Sequence, residues 1–596
     1  MKKAKKRADV ALEFKWKISD MIKSDELWQQ MYDEILASLG KFDKYRGKLA
    51  ESSDVLLSCL MESDRVEKAV GRVYVYSFLR FYEDTGNQCY KGMSDKSATM
   101  ASKVSAATSF IGPEIISIPK DVLESFMQSG NGIELYAHKI EDLLRQKQYI
   151  LPEAQEEILA KSSEISRGAN DIFSVFHESD MKFGMVTDEN NEEAELTLSN
   201  FTSFMESQNR KVRETAFNTL YDQITKFKNT YAGLYSASVI SDNFYADVRK
   251  YKSSLEMALM DDNIPCEVYK NLISTVGEYL PELHRYIKLR KKKLELDELH
   301  MYDLYTPMVK NADTHMPYEK AKDIFIESMK PMGEEYVETI KKSFEEGWID
   351  VYENEGKRSG AFQWGVYGCH PFVCLNYDNK INDMFTLAHE MGHAMHSHYT
   401  WSTQPFAYSD YTIFLAEVAS TVNEALLMDY LLKTSTDDKM KEYLINYFLE
   451  QFRGTIFRQV MFAEFEMMTH EMAASGEPLT ADSLCGIYYD LNKKYYGEDI
   501  VIDAKIAVEW ARIPHFYNAF YVYKYATGYS AAIAFSRKIL NGTEDDLGKY
   551  IEFLKAGSSN YSAEILKKAG VDMTTSAPVK DALEKFKELL DLMENM

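Results

Sequence analysis

Apolar residues recur at three- and four-residue intervals along most of this 596-residue chain. Residues that far apart share one face of a helix. The spacing predicts helices over residues 25–39, 53–82 and 122–126, and over the longer stretches 209–248, 267–296 and 439–471. Only 13 prolines interrupt the chain, which suits long helices. Two stretches break this period. Lys182-Phe183-Gly184-Met185-Val186 and Glu193-Ala194-Glu195-Leu196-Thr197-Leu198 flank the turn-forming Asp188-Glu189-Asn190-Asn191, which predicts a hairpin. Residues 360–377 hold Phe362, Trp364, Val366, Phe372 and Val373 among glycines at 360, 365 and 368, which predicts short strands and turns. The expected fold is therefore mainly α with a small β element. Residues 1–110 read as an N-terminal helical region and 111–200 as a second one ending in the hairpin. The helix signal resumes near Asn200 and opens a third region, 201–596.

Charge narrows the possible partners. A formal net charge of −24 argues against nucleic acid or an acidic membrane surface. The start, Met1-Lys2-Lys3-Ala4-Lys5-Lys6-Arg7, is basic, but no apolar run of signal-peptide length follows, and no stretch has transmembrane length. Six cysteines at 59, 89, 266, 369, 374 and 485 lack a framework spacing and read as thiols of a reducing cytoplasm. The run Arg290-Lys291-Lys292-Lys293 reads first as a solvated helix face, and second as a site for a peptide's terminal carboxylate.

The chemistry concentrates in His389-Glu390-Met391-Gly392-His393. On a helix the two histidines lie one turn apart on one face and can share a zinc ion, with Glu390 placed to take a proton from water. Gly392 inside a helix costs roughly 1 kcal/mol relative to alanine, so its presence implies that something packs close to the backbone there. A catalytic zinc usually has three protein ligands. The next helical stretch, Tyr411 through Glu424, carries Glu417 and Glu424 two turns apart on one face. Glu417 is the expected third ligand. Glu424 is either a hydrogen-bond partner for a ligand histidine or a solvated residue. His370 is left outside the metal site, His396, one turn past His393, reads either as a helix-terminal histidine or as a group behind the ligands, and His470-Glu471 lacks a second histidine at 474.

The motif, followed by Phe414-Leu415-Ala416-Glu417-Val418-Ala419-Ser420, resembles the oligoendopeptidase F branch of the thimet oligopeptidase family. The blocks Gly360-Ala361-Phe362, His370-Pro371-Phe372 and Arg512-Ile513-Pro514-His515-Phe516-Tyr517 carry the resemblance further, from about Phe201 to the C-terminus. It implies a zincin-like catalytic core with two helical halves around a deep channel, and a 201–596 region that is the metallopeptidase domain. The metal ligands implied are His389, His393 and Glu417 on one zinc ion, with Glu390 as general base. The implied substrates are short peptides cut internally. The resemblance also implies that His515 and tyrosines near it stabilise the oxyanion, with Tyr521 and Tyr523 favoured and Tyr517 as the alternative. A metallocarboxypeptidase with the same motif, and an inactive peptide-binding protein, stay open as other readings. Oligomeric state, side-chain preference and the physiological peptides are not written in the sequence.

Overall fold

The structure is a computed structural model and describes residues 5–309 and 314–596. The first four residues of the basic start therefore lie outside the described residues. The chain forms two compact units, each assembled from three separate stretches. The first comprises Met1–Gln148, Thr314–Asp429 and Phe535–Gly570; the second comprises Tyr149–Asp313, Tyr430–Ala534 and Val571–Met596. Helices dominate both, as the periodicity predicts.

In the first unit, the helices Asp25–Ser38, Ser53–Glu83 and Gln88–Thr108 build an apolar core around Trp28, Leu56, Val73, Leu79 and Met100. The Trp28 indole N–H donates to the Val73 carbonyl at 2.9 Å, so the one polar atom of this large buried side chain is satisfied. The predicted strands of residues 360–377 form at Phe362–Trp364 and Phe372–Cys374. They pair antiparallel, with Gln363 opposite Val373. A third strand, Ile349–Asp350, joins the far side of Phe372–Cys374 in parallel, and sequence periodicity did not reveal it. Phe362–Trp364 is thus an edge strand. The N-terminal segment straps the opposite border: the Val351 N–H donates to the Phe14 carbonyl at 3.0 Å, and the Lys17 N–H to that of Gly347 at 2.7 Å.

In the second unit, the stretch 209–248 forms two helices, Arg210–Lys226 and Lys228–Val248, that break at Phe227. The stretch 439–471 is Asp438–Phe452 and Arg458–Ala474 joined by a wider π-type turn, Arg453–Phe457. The hairpin forms at Met185–Thr187 and Glu193–Glu195, where the Asp188 carboxylate accepts the N–H groups of Asn190 and Glu192 at 2.8 and 2.9 Å. The basic run departs in part from its expected solvated face. Arg290 is 0% exposed and donates to the Asp303 carbonyl and to Glu450, while Lys293 pairs with Glu442. These acceptors absorb Arg290 and Lys293, whereas Lys292 stays exposed and Lys291 half-buried, so the expected solvated face survives only in part.

Candidate metal centre

The motif lies on a helix that runs from Ile381 to Thr403. Its start is fixed by the Asp383 carboxylate, which accepts the Lys380 N–H at 2.9 Å. Pro405 follows the last turn, where the chain is already extended at Gln404. The structure buries most of this helix. Leu387, Ala388, Met391, Ala394 and Met395 are all 0% exposed, and between its two ends the strip through Thr386, His389 and His393 stays partly open, as does His398.

The helix Ile413–Thr434 crosses it at very short range. A Cβ placed on Gly392 would lie 2.4 Å from the Ser420 Cα and 2.6 Å from the Ala419 carbonyl oxygen. Two backbones touch here, so only glycine fits. Beside this contact the Asn423 amide donates to the Ala388 carbonyl at 3.3 Å and accepts from the Tyr336 hydroxyl at 2.9 Å.

This crossing brings His389, His393 and Glu417 together, with one ligand atom of each within 4.8 Å of the others. The Nε2 atoms of His389 and His393 are 3.2 Å apart. Glu417 Oε2 lies 3.4 Å from the first and 3.7 Å from the second. Donors bound at about 2.0–2.1 Å to a tetrahedral zinc stand roughly 3.3–3.4 Å from one another, so the spacing fits such an ion. The hydrogen bonding fits as well. His389 Nδ1 bonds to Glu424 Oε1 at 2.6 Å, which leaves Nε2 with its lone pair. The His393 ring bonds to the Ala416 carbonyl. With both rings neutral, two Nε2 lone pairs facing each other at 3.2 Å would repel, and a shared proton or a metal ion between them removes that repulsion. Glu424 thus holds a histidine rather than standing in solvent. Glu417 keeps a side chain 43% exposed.

Electrostatics point the same way. Burial opposes charging His389, but its bonds to Glu417 and Glu424 win and raise it to about 10. Burial works to raise Glu417, yet the two histidines pull it below the usual carboxylate range. Burial and the neighbouring His389 charge lower His393. The pocket therefore favours a positive charge among these three groups. Glu390 is 7% exposed; burial pushes it up to about 7, opposed by His389 and reinforced by Glu417 and Glu424. The backbone N–H of Gln363, on the edge strand, bonds to its carboxylate.

His515 and the tyrosines belong to the second unit. His515 sits on the short 3₁₀ turn Pro514–Tyr517, and burial lowers its pKa. Its Nε2 lies 3.3 Å from the Tyr525 hydroxyl, and the Tyr521 ring stacks over it at 6.1 Å. Tyr523 is 0% exposed and packs against Tyr269; Tyr517 stacks on Phe173 at 4.3 Å. Sequence reasoning passed over Tyr525. The available signal was its four-residue spacing from Tyr521, but the helix begins only at Tyr523, so that spacing could not be read as one face.

Comparison with known proteins agrees with this construction. The pattern of Peptidase family M3 matches residues 203–585, and that of Oligopeptidase F matches residues 114–183. The oligopeptidase PepF of Bacillus subtilis (strain 168) is 48% identical over 99% of this chain and 88% of its own length. The crystal structure of oligoendopeptidase-F from Enterococcus faecium aligns with a TM-score of 0.74 at 37% identity, covering 96% of this chain and 99% of that one. A crystal structure from Chlamydophila abortus aligns with a TM-score of 0.94 at 33% identity over 100% of both chains. With a helical scaffold, a His-His-Glu cluster and these relatives, the chain belongs to peptidase family M3, as a metalloendopeptidase of its oligopeptidase F branch.

Proposed function

We propose that this chain is a zinc-dependent endopeptidase that hydrolyses internal bonds of short oligopeptides. The observation that carries the reading is the pair of facing imidazole nitrogens, 3.2 Å apart, closed by Glu417 and flanked by Glu390. His389, His393 and Glu417 would hold the ion, and Glu424 and the Ala416 carbonyl would set the two rings. When bound, zinc polarises the scissile carbonyl and lowers the pKa of a water.

The remaining steps fall to the chain's own groups. Glu390 Oε accepts the proton of the attacking water and delivers it to the departing amine. The Gln363 N–H keeps that carboxylate aimed. A carboxyl placed near neutrality can do both, because it neither holds nor refuses the proton too strongly. His515, with Tyr525 and Tyr521, donates hydrogen bonds to the oxygen that becomes negative. Tyr523, the other tyrosine favoured from the sequence, is buried against Tyr269. The edge strand Phe362–Trp364 offers main-chain groups to an extended peptide, a mode with little side-chain selectivity.

The test is a quenched fluorescent peptide of about ten residues, long enough to lie along a strand edge and blocked at both ends. Cleavage at an internal bond, lost on chelation and restored by zinc, is the expected result. Cleavage only after the C-terminus is unblocked would make the enzyme a carboxypeptidase. Stoichiometric zinc without turnover would make it a peptide-binding protein.

A further inference from the structure

A carboxyl lies deep in the second unit, outside the machinery described above. Glu466, on the helix Arg458–Ala474, is 0% exposed. Among the described residues no ion pair reaches it, and its Oε2 has no hydrogen-bond partner. A buried acid without a cation is unfavourable, and a leucine would pack there more easily. Its one side-chain bond explains its presence: Oε1 accepts the backbone N–H of Phe520 at 3.0 Å.

Phe520 itself is unusual. Its φ is +57°, the left-handed region that bulky side chains rarely adopt. Of the six described non-glycine residues with positive φ, three are asparagines and only Phe520 is buried. Its ring packs on His470 at 4.5 Å and on Tyr269 at 5.6 Å. His470 is fixed in turn, with Nδ1 against the Glu466 carbonyl at 2.8 Å and Nε2 against Asp242 at 3.2 Å.

The strained residue stands at the reversal between two turns. The Asn518 N–H closes on the His515 carbonyl at 2.9 Å, and the Tyr521 N–H on that of Asn518 at 3.2 Å. The helix that carries Tyr525 begins two residues later, at Tyr523. If Phe520 relaxed to an ordinary φ, the chain would leave the turn in another direction and part His515 from Tyr521 and Tyr525. We propose that Glu466 is a positioning residue: its carboxyl locks Phe520 in the left-handed conformation and so sets the His515–Tyr521–Tyr525 group. The proposal rests on the reading of that group as the oxyanion donors. Burial raises the Glu466 pKa well above the usual carboxylate range, so it acts as a neutral acid whose carbonyl oxygen is the acceptor. An amide carbonyl can replace that oxygen.

The experiment compares Glu466→Gln and Glu466→Met in the zinc-loaded enzyme, by kcat and KM on a quenched peptide and by metal content. Glu466→Gln should keep kcat within about 2-fold of the parent, because the acceptor survives. Glu466→Met, close in volume but without an acceptor, should lower kcat by about 10–100-fold with KM and zinc content little changed, since a misplacement near 1 Å is worth about 100-fold. Adding Phe520→Gly to the Met variant should recover part of the loss, because glycine takes positive φ without the bond. Should the Met variant not fold, hydrogen exchange of the Phe520 amide in the parent reads the same lock, and slow exchange is expected. Rapid exchange there would overturn the proposal, as would full kcat in Glu466→Met or equal loss in Glu466→Gln and Glu466→Met. His515→Ala and Tyr525→Phe separate the two ideas. If they lose kcat and Glu466→Met does not, only the positioning role fails; if they keep kcat, the oxyanion assignment itself fails.

Discussion

Replacing Gly392 with alanine adds one methyl group where two helix backbones meet. The new Cβ would stand 2.4 Å from the Ser420 Cα, 2.6 Å from the Ala419 oxygen and 2.8 Å from the Ser420 nitrogen. Carbon atoms rest about 3.5–4.0 Å apart, so the helices must separate by roughly 1 Å or more. No flexible side-chain tip is there to yield, because all three atoms are backbone. Alanine gains about 1 kcal/mol of helix propensity over glycine. Overpacking of this kind costs about 1–3 kcal/mol, and rigid neighbours place it at the upper end, so a net loss of about 1–2 kcal/mol is expected. The separation also carries off Glu417, which is one turn before Ser420, and the Ala416 carbonyl that holds the His393 ring. Zinc affinity, measured by competition with a chelator, should weaken by about 10-fold, the equivalent of about 1.4 kcal/mol. Gly233 supplies the control. It lies in the helix Lys228–Val248, and an added Cβ there would meet nothing within 4 Å, so Gly233→Ala should stabilise by up to about 1 kcal/mol through propensity alone. If Gly392→Ala matched Gly233→Ala, with unchanged zinc affinity and gained stability, the close crossing would not be what holds the ligand set.

Three other outcomes follow from the same geometry. Glu390→Gln should retain zinc and lose turnover by at least about 100-fold, because the carboxamide keeps the shape but cannot accept a proton; metal analysis beside a rate assay checks both halves. Glu417→Ala should release the ion, whereas Glu424→Ala, which removes only the support of His389, should weaken zinc binding by about 10–100-fold. The reverse order, read by atomic absorption after dialysis, would exchange their roles. His515→Ala should lower kcat by about 100-fold with a smaller change in KM, because its bond strengthens as charge develops; Tyr525→Phe and Tyr521→Phe should show smaller losses of the same kind, and a pure KM effect would make His515 a substrate-binding residue.

The His-His-Glu cluster was legible because its information is local and periodic. His389 and His393 are four residues apart, and Glu417 and Glu424 seven, so helical geometry alone assigns each pair to a face. Gly392 signalled a close neighbour of the backbone through its propensity penalty, although not that this neighbour is a crossing helix at Ser420. The edge strand was readable from aromatic and glycine content at residues 360–377. Its parallel neighbour in the sheet was not, because Ile349–Asp350 is only two residues long and pairs with residues 24 positions away. Within the basic run Arg290 misled, because burial of a charge depends on acceptors such as Glu450, 160 residues distant. The pairing of His515 with Tyr525 was hidden for a different reason. A single left-handed residue, Phe520, resets the helical phase between them, and nothing in phenylalanine announces that conformation.

The interleaved make-up of the first unit has a consequence for its birth on the ribosome. The motif helix ends against residues that are translated much later: the Thr400 hydroxyl donates to the Leu554 carbonyl, 154 positions downstream, at 2.8 Å. At about 5–20 residues per second, roughly 8–30 seconds of synthesis separate the two partners. The N-terminal helices wait longer still, since their unit is completed only by residues up to Gly570. His389, His393, Glu417 and Glu424, in contrast, emerge within 36 positions of one another, on two consecutive helices. The proposed ligand set is therefore whole in the nascent chain long before its surroundings are, and a chain cut short before Gly570 would carry His389, His393 and Glu417 yet lack part of the packing around them.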